Sequence, residues 1–172
     1  LARKIAFYLF HYVFWVLFFV LMKILFMLFH FKLTIALPFS DLFRIIEHGI
    51  KLDLSAAGYL MVIPTVFFIF FGWTGNKTIN LFHTCYVLLL LLCLSILAVA
   101  DIAIYQYWGF HLDTTPLTYI KNVNEAFASV AGWEIMLGCT FILILFAGCT
   151  WLYVKLRQMI FETFQATKPL VT

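Results

Sequence analysis

Two ionisable side chains, Lys23 and Asp101, stand inside long apolar runs. A charge near the middle of a bilayer costs about 2.5–3.5 kcal/mol or more, so an intramembrane Lys or Asp is a functional candidate by default. At about 1.5 Å per helical residue, both fall roughly 27–33 Å up from the inner side, at similar depth near the outer leaflet. Opposite charges at one depth on different helices can pair, or together hold a headgroup. The competing reading is that Lys23 snorkels to nearby headgroups while Asp101 hydrogen-bonds locally.

A second set gathers between the apolar runs: Arg44, His48, Lys51, Asp53, Tyr105, His111, Asp113 and Glu125. Arg and Lys are the natural partners of phosphate, so cations with aromatic neighbours can hold a phospholipid headgroup. A merely solvated rim fits the same pattern. The histidines pair by depth, His11 with His83 and His30 with His111. Two histidines at matched depth on different helices can ligate haem, which would make an electron-transfer subunit. Cys85, Cys93, Cys139 and Cys149 lie in apolar runs without a C-x-x-C pair or zinc spacing, and read as small apolar side chains. No G-x-S-x-G, H-E-x-x-H, P-loop or dinucleotide fingerprint occurs, so no self-sufficient catalytic centre, cofactor site or metal site is expected in this chain.

The elements that must position these residues are membrane helices. Of 172 residues, 65% are hydrophobic and 11% charged, against about 45–50% and about 25% in soluble domains. A soluble fold of this length cannot hide so much apolar surface. The net charge of +3 is small and scattered, which argues against nucleic acid as a partner and leaves membrane lipid. About 20 apolar residues cross a bilayer core, and spans are expected at about 5–31, 56–73, 79–108 and 133–157. The expected fold is therefore all-α and integral to the membrane. The first run outlasts a signal-peptide h-region and lacks an A-x-A site, so it reads as an uncleaved span. Because residue 1 is Leu, the chain is expected to start inside a longer protein.

Between the spans, two short interfacial helices are expected. In the first, about 41–50, Ser40 or Asp41 would cap after Pro38 and Gly49 would stop the helix. Its polar and apolar residues fall on opposite sides, as in a helix lying in the interface plane. The second covers about 116–131, with Thr115-Pro116 opening it and Asn122-x-x-Glu125 laid out as a capping box. Pro64 should kink the second span. The segment G-W-T-G-N-K-T reads as a tight turn joining spans two and three. With the N-terminus in the cytoplasm, six cations face inward (Arg3, Lys4, Lys77, Lys155, Arg157, Lys168) against four outward (Lys32, Arg44, Lys51, Lys121). This is a modest positive-inside bias, and it puts the polar rim outside.

Three stretches carry a resemblance: E-H-G-I-K-L-D-L-S-A-A-G-Y-L at 47–60, D-I-A-I-Y-Q-Y-W-G-F-H-L-D-T-T-P-L-T-Y-I at 101–120, and N-E-A-F-A-S at 124–129. Their order resembles the N-terminal membrane domain of lipoteichoic-acid-synthase-like proteins of the Bacteroidetes type. These belong to the phosphoglycerol transferase and sulfatase branch of the alkaline phosphatase superfamily. The resemblance covers about residues 1–160. It implies five spans in a bacterial inner membrane, a cytoplasmic N-terminus, and an extracytoplasmic C-terminal catalytic domain as the membrane domain's partner. In that domain Mn or another divalent metal would hold a threonine nucleophile. The fifth span and that domain do not fall within these 172 residues, so the metal ligands and nucleophile have no counterpart here. The positions that carry over are Asp53, Ser55, Asp101, Tyr105, Gly109, Asp113 and Glu125. The sequence departs from the pattern at His111, where an arginine would be more usual.

The expected function is accordingly to anchor such an enzyme at the outer face of the inner membrane and to help present its lipid substrate. The runner-up is a non-enzymatic subunit whose aromatic faces meet other membrane subunits.

Overall fold

The computed structural model describes residues 2–71, 77–112 and 131–166, and side chains within 5–70, 78–112 and 131–159. The described residues form five helices and no strand: α1 (Ala2–Phe29), α2 (Phe31–Ile35), α3 (Phe39–Phe71), α4 (Lys77–Trp108) and α5 (Gly132–Ala166). Four of them contain segments long and apolar enough to cross a membrane: Ile5–Phe29, Phe39–Phe70, Thr78–Trp108 and Gly132–Met159. The chain is an all-α, multi-pass membrane protein. The expected turn at 72–76, Asp113, Glu125 and nearly all of the expected helix at 116–131 lie outside the described residues.

The largest departure from expectation is α3. A separate interfacial helix at 41–50 does not form; those residues and the second span are one helix of 33 residues. The helix starts at Phe39, ahead of both expected caps. The Pro38 carbonyl accepts from the Asp41 amide at 2.9 Å, and Asp41 falls in the first turn, where its charge complements the helix dipole. Gly49 does not end the helix. At about 1.5 Å per residue α3 is about 50 Å long, against a hydrocarbon core of about 30 Å.

Pro64 lies inside α3. It has no N–H to give the carbonyl four residues back, and in hydrocarbon a bare carbonyl is costly. The Tyr86 hydroxyl of α4 donates to that carbonyl, Leu60 O, at 2.8 Å. A neighbouring helix thus supplies the bond that the proline removes.

Two compact units divide the chain, one comprising Leu1–Val87 with Cys149–Thr172, the other Leu88–Gly148. In the first, α1 and α3 run antiparallel, with Phe7 edge-on to Phe68 (ring centroids 5.4 Å apart) near one end and Lys23 against Asp53 near the other. Phe67 of α3 stacks on Phe82 of α4 at 3.9 Å. Phe10 and Phe14 of α1 pack on Tyr153 of α5 at 6.0 and 5.2 Å. Lipid tails are as apolar as Leu, so helix association rests on close packing and polar bonds. Aromatic pairs suit that role, each contributing about 0.5–1.5 kcal/mol beyond area burial. Trp15 and Tyr153 are almost wholly buried.

In the second unit, α4 ends at Gly109, whose φ of +72° is the left-handed conformation that glycine tolerates. Its amide bonds back to Tyr105 O at 3.0 Å. The α5 helix opens with a reciprocal cap: the Glu134 amide donates to Ala131 O at 2.9 Å, and the Glu134 carboxylate accepts from the Ala131 amide at 3.1 Å. The Glu134 carboxylate thus supplies one half of a capping box, while Ala131 has no side-chain oxygen to supply the other.

Candidate functional site

Lys23 has a partner, but it is Asp53 and not Asp101. Its ammonium forms an ion pair with the Asp53 carboxylate across α1 and α3. The Asp53 side chain is 7% exposed and that of Lys23 28%, so the two helices cover most of the pair. Gly49 and Asp53 are four residues apart and share a helix face. A Cβ on Gly49 would overlap the Lys23 ammonium and come within 2.9 Å of its Cε. Gly49 and Asp53 together therefore make a socket: one leaves room for the lysine and the other binds it. Above the socket, the Ser55 hydroxyl donates to Lys51 O at 3.1 Å.

Asp101 instead closes its own helix end. Its carboxylate accepts from the Leu112 amide at 2.6 Å and from His111 Nδ1 at 3.0 Å. The Tyr105 ring lies 5.0 Å from that of His111. Asp101, Tyr105 and His111 thus come together as a clamp on the chain leaving α4, with Gly109 at the turn.

The remaining rim residues described stand along the exposed part of α3. Arg44 approaches Asp41 at 3.7 Å, with its side chain 71% exposed. Such an exposed pair contributes little to stability. His48 bonds through Nδ1 to Arg44 O at 2.9 Å, and Lys51 is exposed.

The first unit contains a second polar cluster, centred on His11 and His83. His11 Nδ1 bonds to Phe7 O at 2.7 Å and Nε2 to the Tyr153 hydroxyl at 3.0 Å, which sets Nδ1–H as donor and Nε2 as acceptor of the phenol proton. The His83 ring meets that of His11 edge-on, with centroids 4.5 Å apart. Depth matching therefore did place these two histidines together, but rings in direct contact leave no room for a macrocycle between them. His30 stacks on Phe26 and bonds to its carbonyl at 3.2 Å. His11, His30 and His48 each bond to the carbonyl four residues back. His83 is buried, and neither of its ring nitrogens has a partner among the described residues.

Beside this cluster the Arg157 guanidinium of α5 reaches α4. It donates to Thr84 Oγ1 at 3.2 Å and to Asn80 Oδ1. Asn80, His83 and Thr84 fall at i, i+3 and i+4, one face of α4. The sequence alone does not single out this arrangement, in which Arg157 counts only as one of six cations on the inward side. The available signal was the polar face of Asn80, His83 and Thr84 at the start of an otherwise apolar span. Among the described residues, no three His, Cys, Asp or Glu side chains are grouped to hold a metal ion. No protein family, curated protein or solved structure matches this chain.

Proposed function

We propose that this chain is the membrane-anchoring domain of a phosphoglycerol transferase or sulfatase-like enzyme, holding a metal-dependent catalytic domain at the outer face of a bacterial inner membrane. In this reading the N-terminus is cytoplasmic and α3 emerges on the outer side. The observation that carries it is the continuity of α3 through the 47–60 motif. One helix joins an apolar span to an amphipathic stretch bearing Arg44, His48 and Lys51, and the Lys23–Asp53 pair fixes it to α1 near that junction. A helix pinned where hydrocarbon meets headgroups is suited to carrying cations at phosphate level. Tethering then raises the local concentration of catalyst over its lipid. The membrane domain contributes position, and the chemistry belongs to the domain it anchors.

Native bacterial membranes probed with an antibody against this sequence test the reading. A polypeptide several-fold heavier than 20.0 kDa is expected, from which limited proteolysis frees a soluble piece with metal-dependent phosphodiesterase or sulfatase activity. A band near 20.0 kDa alone overturns the anchoring role and favours a non-enzymatic subunit. Orientation is checked with a single cysteine at Lys51 in a variant lacking the four native cysteines. An impermeant maleimide should label it in intact cells whose outer barrier has been opened.

A further inference from the structure

Among the described residues, Arg157 has no carboxylate partner and makes no ion pair. Its bonds go to neutral oxygens, those of Asn80 and Thr84 on α4 and the Tyr153 hydroxyl on its own helix. A guanidinium has five N–H donors, so bonding capacity remains. Thr84 is itself fixed, its hydroxyl donating to Asn80 O at 2.9 Å. The guanidinium is thus held in one place by a second helix, with no counter-ion among the described residues.

Its place is at the edge of the apolar runs. Arg157 stands with Lys155 and Gln158 where the apolar run of α5 gives way to polar residues, and Asn80 stands with Lys77 and Thr78 where that of α4 begins, as at the interface end of a span. On the same face of α4, His83 carries two ring nitrogens without partners among the described residues. A neutral imidazole offers one donor and one acceptor, and buried polar groups in folded proteins find partners in protein, water or ligand. An oxyanion beside Arg157, directly or through a water that it carries, would supply an acceptor.

We infer that Arg157, held by Asn80 and Thr84 with His83 behind them, binds the phosphate of an anionic phospholipid headgroup at this end of the bundle. A planar fork of donors matches phosphate geometry, and Arg is the residue suited to that task. The site is at the opposite end of α1 from the Lys23 socket and does not depend on which enzyme the domain anchors. Lys155, also a cation near this boundary, is exposed and has no such hold.

The test uses the full chain, purified in neutral detergent, delipidated and titrated with phosphatidylglycerol, with retained lipid read by native mass spectrometry. Arg157→Gln should weaken retention about five- to tenfold, and Lys155→Gln about twofold or less. Equal losses in the two variants would mean that only general surface charge is at work, and the site would be rejected. Should Arg157→Gln fail to fold, Asn80→Ala with Thr84→Val keeps the cation but removes its hold. Retention should then fall several-fold, and unchanged retention rejects the site. Inorganic phosphate at matched concentration should leave the lipid bound; displacement by it would overturn the lipid assignment in favour of a soluble phosphate ligand.

Discussion

Lys23 and Arg157 are cations set into one helical unit, and the protein treats them in opposite ways. Lys23 meets a buried carboxylate in a space left by a missing Cβ, so its charge is cancelled within the protein. Arg157 meets an amide oxygen and a hydroxyl, so it is fixed in position but not neutralised. The first arrangement is closed and structural. The second keeps a positive charge at a membrane boundary, available to something outside the chain. Charge inside an apolar sequence is therefore a poor guide to function until the partner is known: the cation flanked on both sides by apolar residues is the one already satisfied.

Removing one member of the closed pair should produce the largest effect. Asp53→Asn leaves the Lys23 ammonium without its counter-ion and is expected to destabilise the protein by about 3–5 kcal/mol, measured by reversible unfolding in mixed micelles. Loss below about 1 kcal/mol would place Lys23 in the same class as Arg157. Filling the socket comes next. Gly49→Val forces the lysine aside and should cost about 1–3 kcal/mol in the same assay, the range of overpacked cores. Arg157→Gln should cost only about 1 kcal/mol without added lipid, because it removes bonds to neutral groups near solvent and strands no charge. The smallest effect is expected from Lys23→Met with Asp53→Leu together. Replacing a buried pair by apolar side chains of similar size is often neutral, so stability should stay within about 1 kcal/mol of wild type. A large loss would show that the pair contributes more than mutual neutralisation.

That four helices are long and apolar enough to span was legible, because hydrocarbon thickness imposes a minimum apolar length that composition cannot disguise, but the start of the second was not: the span expected at 56–73 belongs to a helix that begins at Phe39. Which charges meet was not. Asp101 was matched to Lys23 by counting residues along straight helices, while Asp53 lay in a stretch assigned to the gap between an interfacial helix and a span. That gap rested on Gly49 as a stop signal. Glycine does end helices in water, but in spans it is common and admits close approach; here the approaching group is Lys23. The matched depth of His11 and His83 was legible but their direct ring contact was not, and Tyr153, which bonds to His11, carried no polar pattern that would single it out. The clamp on Asp101 needed the left-handed turn at Gly109, which no periodicity reveals.

The bond from Tyr86 to the Leu60 carbonyl has a consequence for biogenesis. Until α4 enters the bilayer, a hairpin of α1 and α3 alone carries one backbone oxygen facing oil with nothing to quench it. The third long helix is therefore needed to complete the second, and α3 reaches its finished state only after the ribosome has delivered Tyr86.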